Sequence, residues 1–140
     1  MQEQRAHIEE CFDARIRNIP IIDAHHHLWD LERNYYPWLS DKPKQGDRLG
    51  NYEAIRRTYT PQDYLRDTAG FRIVKTVHIE AEMDRTKQIE ETVWLHEMNA
   101  VHGLPNAVVA HVSFTEPDCE SKLSQHASYP LVRGIRSKPV

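Results

Sequence analysis

The sequence is poor in the features that announce several common functions. Its 140 residues hold two cysteines, Cys11 and Cys119, far apart and without C-x-x-C spacing, so neither a zinc knuckle nor a disulfide framework is implied. The five glycines form no phosphate-cradling loop, and no serine occupies a nucleophile elbow, which disfavours covalent acyl-enzyme chemistry. No apolar run approaches the roughly 18–20 residues that a membrane-spanning helix needs. The amino terminus mixes Glu10, Arg15 and Arg17 where a secretion signal would be continuously apolar, so a cytosolic protein is expected. Lys and Arg total 18 against 21 Asp and Glu, a net charge of −3, with no basic block to grip a nucleic acid or a membrane surface.

What is present suits one domain with an ordinary core: 39% hydrophobic and 28% charged residues. Residues 1–18 read as a polar leader helix with Ile8, Phe12 and Ile16 on a narrow apolar face. The remainder, 19–140, alternates strand and helix signals. Strands are expected at 21–28, 73–81, 107–114 and 131–136, where β-branched and apolar residues cluster. Thr60-Pro61-Gln62-Asp63 opens a helix to Thr68. Asp84 and Gly103 bracket a second helix with Ile89, Val93, Trp94, Ala100 and Val101 on its apolar side, and Thr115-Glu116-Pro117-Asp118 opens a third, to about Ala127. Between strand one and the first of these helices, residues 29–59 read as a long loop rich in aromatics, a length that is uncommon unless functional. The order predicts right-handed crossovers and a parallel sheet. Both an open doubly wound sheet and the first half of a (β/α)8 barrel fit. A complete barrel needs about 250 residues, so on the second reading this chain is a truncated, four-stranded TIM barrel with an exposed edge inviting self-association.

Nine histidines stand out, three of them consecutive. On a strand, Asp23, His25 and His27 would share one face and Ala24, His26 and Leu28 the other, so two imidazoles converge at the end of strand one, where they can reach one metal ion or one substrate oxygen. Glu80, near the end of strand two, can bind a metal, orient an imidazole or accept a proton; it can equally pair with an arginine such as Arg136. Arg136 ends strand four in phase with Val132 and Gly134 and is placed to grip a carboxylate or a developing oxyanion, whereas Arg133 is expected to pair with a helix acid. Trp29, Tyr35, Tyr36 and Trp38 either wall a substrate pocket or plug the barrel rim. His78 reads as a core histidine and His111 is ambiguous; His7, His96, His102 and His126 read as surface groups.

Taken together, Ile21-Ile22-Asp23-Ala24-His25-His26-His27-Leu28-Trp29-Asp30, Tyr36-Pro37-Trp38-Leu39, Val77-His78-Ile79-Glu80-Ala81-Glu82, Gly103-Leu104-Pro105 and Val132-Arg133-Gly134-Ile135-Arg136 resemble the amidohydrolase-related (amidohydrolase 2) group of metal-dependent-hydrolase-like TIM barrels, closest to its sugar-lactone and pyrone-dicarboxylate lactonase branch. The resemblance covers about residues 20–137. It implies hydrolysis of a lactone or a related ester or amide in a small-molecule substrate by activated water. His25 and His27 would ligate a divalent metal, zinc or manganese, or work without one as in some lactonases. Glu80 matches the strand-two acid, and Arg136 a strand-four arginine that holds substrate. The family's further histidine from strand five or six and its strand-eight aspartate have no counterpart in four strands. The expectation is therefore an amino-terminal fragment, weak or inactive alone; the competing expectation is a non-catalytic half barrel that pairs to complete its sheet.

Overall fold

The computed structural model describes residues 15–43 and 50–138. Most of the expected leader helix, with Cys11, lies outside them; residues 15–18 are helical. Four strands follow in order, β1 (Pro20–His26), β2 (Arg72–Ile79), β3 (Ala107–His111) and β4 (Val132–Arg136). They form one parallel sheet in the spatial order β1-β2-β3-β4. The helices are α1 (Pro37–Ser40), α2 (Pro61–Asp67), α3 (Gln88–His102) and α4 (Cys119–Ala127). Here α2 packs beside α3, and α3 beside α4. A doubly wound sheet reverses its strand order at a switch point, with helices on both faces. This sheet never reverses, and its crossovers pack side by side, the winding that successive units of a (β/α)8 barrel follow.

Local sequence chemistry explains the boundaries. Asp63 accepts both the backbone N–H and the hydroxyl of Thr60 at 2.9 and 3.0 Å, and Pro61 supplies the first helical residue of α2. Asp84 accepts the Thr86 N–H at 2.9 Å in the 3-10 turn that leads into α3. Gly103 closes α3 at φ 75°, a conformation that favours glycine, with its N–H on Asn99 O at 2.8 Å. The 29–59 segment is less irregular than expected: besides α1 it holds a 3-10 turn (Glu53–Ile55) and an antiparallel bridge between Trp29 and Tyr59.

The core between sheet and helices is built from Leu28, Tyr64, Trp94, Leu95, Leu104, Val108 and Ala110. Burial of each large apolar side chain there contributes about 1.5–3 kcal/mol. A second cluster, Trp29, Tyr36, Leu39, Ala81 and Met83, closes the carboxyl ends of β1 and β2. The buried face of α3 differs from the expected one: Val101 is 71% exposed, while Gln88, Glu91 and Thr92 are buried with Trp94 and Leu95. The reason is local polarity. Where α3 meets His78 and His126, polar side chains find polar neighbours. The opposite face of the sheet is open, with Ile22 62% exposed.

Candidate functional site

The site begins with an irregularity in β1. Asp23 pairs with Thr76 and His26 with His78, so β1 spends three residues where β2 spends two. That bulge breaks the strict alternation expected from the sequence. Asp23 does not join His25 and His27; its carboxylate accepts the Tyr64 hydroxyl at 2.7 Å, and the Tyr64 ring packs on His26 at 4.8 Å between centroids. Burial works to raise the Asp23 pKa, but the Tyr64 hydroxyl and the His25 N–H outweigh it and hold the carboxyl below its ordinary value.

His25 and His27 do converge. Their Nε2 atoms stand 3.3 Å apart, with the rings edge to face. His27 Nδ1 lies 2.8 Å from Ile79 O, and since a carbonyl only accepts, Nδ1 carries the proton and Nε2 offers its lone pair. His25 Nε2–H then donates to it. The same spacing fits a metal, because two nitrogens at about 2.0–2.1 Å from a tetrahedral zinc lie about 3.3 Å apart. An imidazole anchored through Nδ1 to a backbone carbonyl is also the usual posture of a ligand histidine. These residues therefore fit two vertices of a zinc or manganese site. No group of three or more His, Cys, Asp or Glu able to hold a metal occurs among the described residues. Burial pushes the His27 pKa down, which favours the neutral, ligating form.

Behind this pair lies a buried polar layer. Leu28 N–H donates to His78 Nδ1 at 3.2 Å, and His78 Nε2 faces Glu91 Oε1 at 3.6 Å. Glu91 Oε1 accepts the Ala81 N–H at 3.0 Å. Burial, with the nearby Arg136 charge, lowers His78 to about 3, and burial raises Glu91 to about 7. His26 is lowered to about 3 by burial and by His78, and neither of its ring nitrogens has a hydrogen bond among the described residues.

Glu80 and Arg136 meet. Arg136 Nε donates to Glu80 Oε1 and Nη2 to Glu80 O, both at 2.6 Å, and Glu82 N–H donates to Glu80 Oε2 at 2.9 Å. Glu82 takes a left-handed φ of 57° and pairs with Lys138. Of the two roles open to Glu80, the ion pair is the one formed. Arg133 differs from expectation: it donates to Pro130 O and Val132 O rather than to a helix acid.

The aromatics divide. Trp29 stacks near His27, with centroids at 6.5 Å, and donates to Arg57 O at 2.6 Å. With His26, His27, Tyr59, Tyr64 and Arg57 it lines an open cleft of about 390 Å³. Trp38 is half-buried, donates to Ala81 O at 2.8 Å, and borders a separate hollow beside Glu82 and Arg85. Tyr36 is fully buried against Leu39 and Met83, so the rim-plug role is the one it fills and it is out of reach of a pocket ligand.

Two helix histidines read as surface groups are not on the surface. His126 is fully buried, its Nε2 on His111 O and its Nδ1 beside Thr92 Oγ1, both at 3.1 Å. His96 is half-buried and accepts the Leu131 N–H. The sequence reading also missed Glu91. A signal was there, since Glu91, Trp94, Leu95 and Met98 follow the i, i+3, i+4, i+7 spacing of a buried helix face.

No family model matches the chain. It is 44% identical over 119 residues to the uncharacterized protein y4mH of Sinorhizobium fredii, a match covering 85% of this chain. Among solved structures it is similar to an amidohydrolase 2 from Bifidobacterium longum subsp. infantis, with 24% identity, a TM-score of 0.49 and 67% of this chain covered. The chain spans about 40% of the length of the first of these proteins and 33% of the second.

Proposed function

We propose that this chain carries the strand-one part of a hydrolase site of amidohydrolase type, in which activated water opens a lactone or a related ester or amide of a small molecule in the cytosol. The observation that carries this reading is the convergence of His25 and His27 Nε2 at 3.3 Å, with His27 fixed by Ile79 O. Zinc or manganese bound there would supply Lewis acidity and lower the pKa of a coordinated water. The protein's own residues divide the remaining work. His27 presents a fixed lone pair; with a metal bound His25 would present its Nε2 lone pair as well, and without one its Nε2–H is the proton that can pass to or from the reacting oxygen. Glu80 orients Arg136, whose side chain is 27% exposed and whose charge would meet a substrate carboxylate or an oxyanion. Trp29 and Tyr59 offer ring faces to a cyclic substrate in the cleft.

The test is hydrolysis of a panel of aldonolactones and pyrone carboxylates by the purified chain, with and without added zinc or manganese. Turnover that vanishes in His25→Ala and His27→Ala supports the proposal; turnover indifferent to both replacements overturns it. A second reading is favoured by the sheet itself. Both β1 and β4 are edge strands and Ile22 is exposed on the open face, which suits a half barrel that pairs with another copy and uses its histidines structurally. Sedimentation that shows a dimer without metal binding favours that reading.

A further inference from the structure

Glu91 is a carboxylate placed where packing alone would favour an apolar residue. It is 3% exposed, one turn ahead of Trp94 and Leu95, and it reaches beneath the strand ends. Its Oε1 accepts the Ala81 N–H at 3.0 Å, just beyond the end of β2, and stands 3.6 Å from His78 Nε2. His78 faces the other way as well, because its Nδ1 accepts the N–H of Leu28, the residue after His27. An uncharged imidazole has one proton. With Nδ1 accepting, that proton sits on Nε2 and points at Glu91. His78 Nε2 has no hydrogen-bond partner among the described residues, so Glu91 is the acceptor nearest to hand.

We propose that Glu91 is a positioning residue for the His25–His27 pair: it receives the Nε2–H of His78 and so seats the ring whose Nδ1 holds the backbone just beyond His27. The inference rests on the reading of the pair as the functional centre. The logic is one of mutually exclusive valences. Without an acceptor the Nε2–H is left buried and unpaired, because a move to Nδ1 would set it donor to donor against the Leu28 N–H, and the ring is then released from its seat. The tie between β1 and β2 at that level is then lost, and only the Ile79 carbonyl still orients His27. Outer hydrogen-bond partners of ligand histidines commonly alter metal affinity by about 10–100-fold.

Long-range 15N–1H correlation spectra of the full chain read the His78 tautomer directly, and amide exchange reads the Leu28 tie. The wild type is expected to show Nε2–H and a protected Leu28 amide. Glu91→Gln keeps an oxygen acceptor and should preserve both. Glu91→Leu should speed Leu28 exchange by about tenfold or more and weaken zinc binding about tenfold or more. An Nδ1–H tautomer in the wild type overturns the proposal without any variant, as does unchanged Leu28 exchange in folded Glu91→Leu. Should zinc bind the wild type no better than His25→Ala, the metal-site reading falls, while the tautomer and exchange results still decide the role of Glu91.

Discussion

The carboxyl ends of β1 and of β2 with β4 are built from strongly polar groups, yet they differ in what is left over. At β2 and β4, Glu80 and Arg136 use each other: two guanidinium donors and the Glu82 N–H fill the carboxylate and its own carbonyl. At β1, His27 spends one nitrogen on Ile79 O, and its other nitrogen meets, among the described residues, a second imidazole. The first end is a clamp; the second has spare valence. Chemistry goes where valence remains, so the histidines are the better candidates for contact with a reacting atom and the acid–arginine pair the better candidate for holding the ends in place.

The largest expected effect tests the clamp. Glu80→Ala removes a carboxylate that is 1% exposed and strands its arginine, which should cost about 3–5 kcal/mol in urea unfolding. A loss under about 1 kcal/mol would mean that the pair contributes little and would dissolve the contrast. His27→Ala addresses the other end. It should weaken zinc binding by more than about 100-fold in calorimetry, beyond what loss of an outer partner causes, with a smaller change in stability than Glu80→Ala.

Acidity sharpens the comparison further. His26, His78 and His126 are buried with pKa values below the ordinary one. Because the unfolded chain binds those protons more readily, their contribution is complete above about pH 6.5 and lost as pH falls below it, by up to about 1.4 kcal/mol per pH unit for each group. Glu91, raised to about 7, acts oppositely, favouring the folded state below its unfolded pKa and losing that contribution as pH rises toward 7. With His27, which is lowered as well, four imidazoles outweigh one carboxyl, so the urea midpoint should fall between pH 6.5 and 5, and His126→Gln should flatten that fall; a midpoint constant over this range would contradict buried neutral histidines. The smallest effect is expected from Tyr64→Phe, which removes the hydroxyl on Asp23 and should cost about 1 kcal/mol while zinc binding stays unchanged.

Much of this arrangement was legible in the residues. β-branched clusters located all four strands, Asp84 and Gly103 bracketed α3, and the H-x-H spacing placed two imidazoles together. What escaped depended on the third dimension. A one-residue bulge between Asp23 and His26 leaves no mark in a local pattern, because it arises from pairing with β2. Tyr36 could wall or plug, and only packing against Leu39 and Met83 decides. Glu90 and Glu91 are adjacent acids at the start of α3; helical phase alone turns one outward and the other beneath the sheet. His126 looked exposed in a polar helix until its partner, the His111 carbonyl, was seen across the interface.

The bulge also sets a constraint on how this segment can be altered. By spending one additional residue, β1 runs in two phases: before the step Asp23 turns toward Tyr64, and after it His26 takes that side while its neighbours on either flank face each other. Smoothing the bulge out at unchanged length would restore strict alternation and turn His25 toward Tyr64 in place of His26, whereas deleting Ala24 would leave Asp23 and His26 two residues apart, like Thr76 and His78, and so still on one side. At the native length it is the step in pairing, as much as residue identity, that keeps the imidazole couple on the side away from Tyr64.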